Sequence, residues 1–415
     1  MQRTASPQRL RGRALGALVA MLLAGCGAPA VSTTAIGAVT ARQAVASPSA
    51  QRLLVRTTAP GRSAFAARQI GATPLGEIPQ LGLATLGLPG GTRAADAMAR
   101  LASMPGVTWA EPDHRLSLRT SVADPGRAAQ WGLDAMRVPA AWTRTRGDAR
   151  VVVAVLDTGV DLGHPDLRTR LVEGRSFVSG RSGPGDDNGH GTHVAGTIVA
   201  EADNGVGVAG VAPGCRVMPV KVLDAEGAGH TADIVAGLVW AADHGARIIN
   251  LSLGGAAGGQ ALGEAIRYAQ AKGCLVVAAM GNEGAQSQEY PAAMPGVLAV
   301  GSTDEAGRRS SFSNFGSWIS VAAPGSGILS TTPTYDVTMS RQEGLGRGYG
   351  SLSGTSMATP HAAGLAALLA SLHPDWPAQV LHKQLLASTR DIGTPGFDIE
   401  TGHGMLDAWK AVNLR

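Results

Sequence analysis

Along most of the chain, apolar residues fall into short unbroken runs, separated by stretches of helical period and by glycine-rich loops. Val151-Val152-Val153-Ala154-Val155-Leu156 places six apolar residues in a row, four of them β-branched, before Asp157-Thr158-Gly159. Such a run predicts a strand buried on both faces, as in a parallel sheet. Further strands are predicted at 216–223, 247–253, 275–280 and 297–302, with helices over 190–200, 232–244, 259–272 and 362–372 between and after them. From about Asp124 this alternation predicts a parallel sheet with right-handed crossovers. A smaller unit precedes it over 52–118, with a strand at Leu53-Leu54-Val55, an amphipathic helix at 94–104 and a returning strand and turn at 107–113. Residues 27–49, rich in Ala, Ser, Thr and Pro and without period, read as a linker. Arg3, Arg9, Arg11 and Arg13 precede the apolar run 14–24, which is too short to span a membrane and reads as an export signal.

Candidate chemistry sits at the ends of these elements. Asp157 closes the first long strand at its C-terminal end, where open α/β sheets gather ligands. Asp187-Asn188-Gly189-His190-Gly191-Thr192-His193-Val194-Ala195-Gly196-Thr197 sets a histidine before a small-residue run that enters a helix. Gly350-Ser351-Leu352-Ser353-Gly354-Thr355-Ser356-Met357-Ala358, then Thr359-Pro360-His361, puts Ser356 where a glycine-rich loop turns into an apolar helix. Backbone donors and the helix dipole there favour developing negative charge, and small neighbours let a substrate backbone approach. Taken alone, the stretch reads as a Ser/Thr helix cap. Together the three segments supply an orienting acid, a base and a nucleophile, with His190 to take the Ser356 proton and Asp157 to fix its tautomer. The chain order Asp, His, Ser separates this set from the orders of other serine hydrolases.

These three segments resemble the subtilisin family of serine proteases, over a region from about Asp124 to the C-terminus. The resemblance implies a three-layer α/β fold with a mostly parallel seven-stranded sheet, preceded by a small α+β propeptide domain. It implies an exported serine endopeptidase that works through an acyl-enzyme and matures by losing its propeptide. His190 matches the family's base, and His193 a second, non-catalytic histidine. In Cys274-Leu275-Val276-Val277-Ala278-Ala279-Met280-Gly281-Asn282-Glu283-Gly284, Asn282 matches the oxyanion-hole amide, which works with the Ser356 backbone N–H. Gly402-His403-Gly404-Met405-Leu406-Asp407-Ala408 looks like the family's closing turn into a last helix.

Ser252, Leu253 and Gly254 match the segment that pairs with an extended substrate, a strand-addition mode in which pockets supply specificity. The implied P1 pocket is walled by these residues and by Ala279, Met280 and Gly281, with its floor near Glu289. An inward carboxylate there would favour Lys or Arg at P1, whereas an outward one is a solvated loop residue. Asp166 and Asn204 match a structural Ca²⁺ site, to which Asp124 is expected to add a ligand; the alternative is an Asx-rich turn. The 51–120 segment resembles an inhibitory propeptide, most of all at Glu111-Pro112-Asp113, the alternative being an adaptor domain. It would act as an intramolecular inhibitor of the 121–415 catalytic domain. Leu23-Ala24-Gly25-Cys26 resembles a lipobox that ends the 1–25 signal, with lipid on Cys26 ahead of the 26–50 linker; a plain secretory signal is the alternative.

Maturation between about Leu118 and Asp124 would then free the enzyme from a membrane-tethered precursor into the periplasm or medium. In this fold, Cys215 and Cys274 start strands about three positions apart, roughly 14 Å, too far for a disulfide. Competing readings are a tethered, non-catalytic peptide-binding protein and a protease of narrow purpose. The presence of Asp157, His190, Asn282 and Ser356 together argues against the first.

Composition narrows partners rather than fold. Hydrophobic residues make up 44% and charged ones 16%, which suits a globular chain. The net charge of +4 is matched by the four arginines of the signal. No basic tract interleaved with aromatics follows, and no phosphate loop ending in Gly-Lys-Ser/Thr, which argues against nucleic-acid and nucleotide partners. Protein and peptide substrates of a monomer are expected.

Overall fold

The computed structural model describes residues 52–59, 62–113 and 124–414. The export signal, Cys26 and the linker lie outside them. The chain divides into two compact units between Leu118 and Arg119. In the first, strands β1 (Arg52–Thr57), β2 (Thr73–Ile78), β3 (Leu83–Gly87) and β4 (Val107–Pro112) form a sheet of order β2-β3-β1-β4. Its pairings are all antiparallel. Alternate residues of β1, Leu53 and Val55, are fully buried with Ile70 and Leu101 of helices Arg62–Ile70 and Ala94–Ala102. The glycine-rich middle of this unit, which shows no period in the sequence, supplies β2 and β3. Their register shifts between Pro74 and Gly76, which breaks the alternation that would have announced them.

The second unit is built on a nine-stranded sheet of β5 (Val152–Asp157), β6 (Arg175–Ser176), β7 (Arg216–Lys221), β8 (Ile248–Leu251), β9 (Leu275–Ala279), β10 (Leu298–Thr303), β11 (Val321–Pro324), β14 (Thr389–Arg390) and β15 (Met405–Leu406). The order is β14-β15-β11-β10-β9-β8-β5-β7-β6, parallel except for β14 against β15. Nine strands pair where seven were expected: six longer strands form the middle, and the two-residue strands β6, β14 and β15 extend the edges. A separate hairpin joins β12 (Ile328–Thr331) to β13 (Tyr349–Leu352).

The unbroken apolar run of β5 follows from burial on both faces. Val153 and Val155 join one core with helices His190–Val199 and Thr355–Leu372. Ala154 and Leu156 join the other, with helices Thr231–Asp243 and Gln260–Ala271. That makes three layers. β5 lies between β7 and β8, and the chain leaves it first toward β7 and later builds outward from β8. The crevice at the C-terminal ends of β5 and β8 is therefore the topological switch point. Cys215 and Cys274 are free and buried, one before β7 and one before β9, three sheet positions apart.

Candidate active site

Asp157 ends β5 at this crevice and is fully buried. Its Oδ1 accepts the Thr158 N–H at 2.8 Å and faces His190 Nδ1 at 2.8 Å. A carboxylate only accepts, so Nδ1 carries the proton and Nε2 keeps its lone pair. Among the described residues, the buried Asp157 Oδ2 has no partner. Burial works to lower the His190 pKa, but the charge and hydrogen bond of Asp157, helped by Asp186 and Glu343, hold it above the ordinary value. Gly191 makes the approach possible: a Cβ there would stand 2.1 Å from the Gly159 carbonyl oxygen and 3.1 Å from Asp157 Cβ. His193, one turn on, is fully buried and donates Nε2–H to the Ile328 carbonyl at 2.8 Å. Burial pushes its pKa down to about 3.

The entry to the His190 helix is fixed by residues that the sequence patterns did not single out. Buried Asp186 accepts from the Gly189 and Thr192 N–H groups at 2.9 and 3.0 Å, and from the Thr158 hydroxyl at 2.9 Å. It meets the helix's unpaired N-terminal donors with a carboxylate, where the dipole favours one. Behind it, the fully buried Lys221 ammonium, at the end of β7, donates at 2.7 Å to Asp187 and to the carbonyls of Thr158 and Leu223. Three donors meet three acceptors, which is what a buried ammonium requires.

Ser356 occupies the second position of the Thr355–Leu372 helix. Its hydroxyl donates to the Ser252 carbonyl at 3.1 Å, while the Ser252 hydroxyl donates to the Ser356 carbonyl at 2.8 Å. Pro360 explains the second bond. It stands four residues on and has no N–H to give, so the Ser356 carbonyl needs another donor. Ser252, just past β8, provides it, and Asn250 donates in turn to the Ser252 hydroxyl at 2.9 Å. Asn282 Oδ1 accepts from the Thr355 N–H at 2.8 Å and its hydroxyl at 3.0 Å. Because a backbone N–H can only donate, the Asn282 amide orientation is fixed and Nδ2 remains as its free donor. Thr355 also accepts the Gly281 N–H at 3.1 Å, locking the two loops together. His190, Asn282, Ser356 and Met357 line one groove; His190, Ser252, Leu253 and Gly254 line another beside it.

Glu289 is half-buried between the two expected pocket walls. A Cβ on Gly254 would come within 3.0 Å of Glu289 Oε2, and one on Gly281 within 2.5 Å of its Cγ. Burial, and then the charge of Glu283, push its pKa up. Gly281 has φ +98° and would also put a Cβ 2.9 Å from Glu283 Oε2, so two carboxylates converge there. Buried Asn314 holds this loop, accepting the Glu283 and Ala285 N–H groups and donating to the Glu283 carboxylate.

The expected cation ligands meet only in part. Asn204 Nδ2 donates to Asp166 Oδ1 at 2.6 Å, and Asp166 Oδ2 accepts from Val208 N–H and Tyr349 Oη, both at 3.0 Å. Asp124 instead caps the turn, accepting the N–H groups of Asp203, Asn204 and Gly205. Among the described residues, no cluster of three or more His, Cys, Asp or Glu is arranged to hold a metal. Burial raises the pKa of both Asp124 and Asp166. Asp166 and Asn204 carry the oxygens a hard cation takes, but the Val206 N–H, donating to Asn204 Oδ1 at 2.7 Å, fixes the Asn204 amide with Nδ2 toward Asp166.

A three-layer α/β fold with an Asp–His pair and a helix-borne serine at the switch point is the arrangement of a serine hydrolase. The chain belongs to the subtilase family: the Peptidase S8 subtilase model matches residues 148–404. A fervidolysin N-terminal prodomain model matches residues 53–113. Thermitase from Thermoactinomyces vulgaris is 46% identical over 242 residues, covering 58% of this chain and 82% of that protein. Subtilisin BL from Lederbergia lenta is 42% identical over 282 residues, 68% of this chain and 98% of the relative. A thermophilic serine proteinase of Bacillus sp. (strain AK1) is 43% identical over 268 residues; the match spans 64% of its length. Among solved structures, a protease from Pseudoalteromonas arctica superposes with a TM-score of 0.65 at 34% identity, over 71% of this chain and 99% of that one. Among the described residues, no helix is long and apolar enough to cross a membrane.

Proposed function

We propose that the protein is a serine endopeptidase in which Ser356 is the nucleophile, His190 the base and Asp157 the group that orients it. The observation that carries this reading is the 2.8 Å contact from Asp157 to His190 Nδ1, which leaves Nε2 free beside the helix that bears Ser356. In the reaction, Nε2 takes the hydroxyl proton as Oγ attacks the scissile carbonyl. The tetrahedral oxygen is held by Asn282 Nδ2 and the Ser356 N–H, and His190 then gives its proton to the leaving amine. Water repeats the sequence on the acyl-enzyme. Before attack, the Ser356 hydroxyl turns from the Ser252 carbonyl toward Nε2.

Ser252, Leu253 and Gly254 pair with the substrate on its acyl side, and Ala279, Met280 and Gly281 complete the P1 pocket. Glu289 favours Lys or Arg at P1. The 51–120 segment inhibits the 121–415 domain until it is cut away. The 1–25 signal exports the chain, and Cys26 tethers the precursor by lipid, so that maturation releases the enzyme. Calcium, held by Asp166 and Asn204 near Asp124, stabilises the 203–208 loop.

Expression of wild type and Ser356→Ala without the signal, followed by intact mass and casein hydrolysis, tests the central claim. The wild type should lose about its first 120 residues and digest casein, while Ser356→Ala stays full length and inert. Two full-length, inert proteins would instead favour a non-catalytic binding protein.

A further inference from the structure

The connection between β12 and β13 runs over residues 332–348, far longer than the two to five residues usual in a hairpin. It is pinned to the segment just before His190. Thr334 donates its N–H and hydroxyl to Asp161 at 2.9 and 2.7 Å, and Tyr335 Oη donates to the Asp186 carbonyl at 2.8 Å. The Thr338 and Met339 N–H groups reach the carbonyls of Asp187 and Asn188 at 3.1 and 3.0 Å. Buried Val337 and Leu345 pack so closely on Gly189 that a Cβ there would meet them at 3.3 and 3.1 Å.

This fixed loop brings Met339 and Glu343 to both grooves, on either side of His190. Glu343 follows the short Thr338–Gln342 helix and is exposed. Among the described residues, its carboxylate has no ion pair, and no Lys or Arg lines either groove. Glu226 adds a second negative charge on the acyl side. The groove holding Ser252 to Gly254 takes the acyl half of a substrate. The other, between His190, Ser356, Met357 and Leu345, is left for the amine half.

We propose that Glu343 selects a cationic side chain immediately after the scissile bond, so that the preferred substrates carry basic residues on both sides of the cut. This rests on the endopeptidase reading above and on Glu289 at P1. An exposed carboxylate and a substrate cation make a modest, salt-sensitive pair. The effect expected is therefore about two- to fivefold in kcat/KM.

The test uses the mature enzyme obtained by expressing the full chain, and quenched peptides with Arg at P1 and Arg, Gln or Glu at P1′, at low and high ionic strength. The wild type should prefer P1′ Arg over Gln by about two- to fivefold at low salt, and the gap should narrow at high salt. Glu343→Gln should close the gap through KM, and Glu343→Lys should favour P1′ Glu. A wild type indifferent to P1′ charge, a preference that survives Glu343→Gln, or an effect that falls on P2 instead overturns the assignment while leaving the protease intact. Failure to cut any peptide, together with an inert response to casein, overturns both.

Discussion

Replacing Lys221 by methionine would remove a fully buried ammonium while keeping most of its volume. Its three hydrogen bonds, each 2.7 Å, hold the carbonyls of Thr158 and Leu223 and the Asp187 carboxylate. Each buried carbonyl left bare costs about 1–3 kcal/mol, and a charge-assisted bond contributes about 1.5–3 kcal/mol. Asp187 keeps a second cation, Arg181 at 2.9 Å, and is 24% exposed, so it escapes the full penalty of an abandoned buried charge. Methionine opens no large cavity and regains some apolar burial. The balance is a loss of about 3 kcal/mol, near the lower end of the range for breaking a buried pair. Guanidinium unfolding in a Ser356→Ala background, which removes self-digestion, measures it directly. A loss below about 1 kcal/mol with unchanged m would refute the claim that this ammonium ties β5 to the His190 segment.

Four further outcomes follow from the same contacts. Ser252→Ala should destabilise by about 1–2 kcal/mol by stranding the Ser356 carbonyl, and Pro360→Ala should recover part of that loss; additive effects in the double mutant would contradict the pairing. Because the His190 pKa is raised, activity should fall as pH drops through a value above 6.5. Glu343→Gln or Asp157→Asn should move this acid limb of kcat/KM downward, and a shift upward would be the wrong sign. Glu289→Gly should erase a preference for Arg over Leu at P1, measured with a peptide library; equal turnover in both proteins would return Glu289 to the status of a loop residue. EDTA should speed thermal inactivation of the wild type but not of Asp166→Asn, and no change in the wild type would argue against calcium.

Periodicity and burial make much of the fold legible in the chain. The run from Val151 to Leu156 is apolar at every position because both of its faces are covered, so strand, parallel sheet and layered fold follow together. Asp157, His190, Asn282 and Ser356 stand out because each ends or opens an element beside glycine or other small residues. The same reasoning fails for β2 and β3, where Pro74, Gly76 and a register shift hide the alternation.

What the chain alone determined is local: which segments become strands and helices, and which polar groups sit at their ends. The tertiary structure decided everything that depends on distance between segments far apart in the chain. Asp186, Lys221, Thr355 and Asn314 carry no distinctive spacing, and they matter only because the fold brings each beside an active-site loop. Asp124 looked like a cation ligand by position, but its oxygens face three backbone amides of the 203–205 turn. Glu343 is an ordinary loop glutamate in the sequence, and Glu289 is marked there only by the family resemblance, as the floor of the implied P1 pocket. Their charge gains meaning only from the walls and grooves they face, because an electrostatic effect depends on separation and burial rather than on residue type.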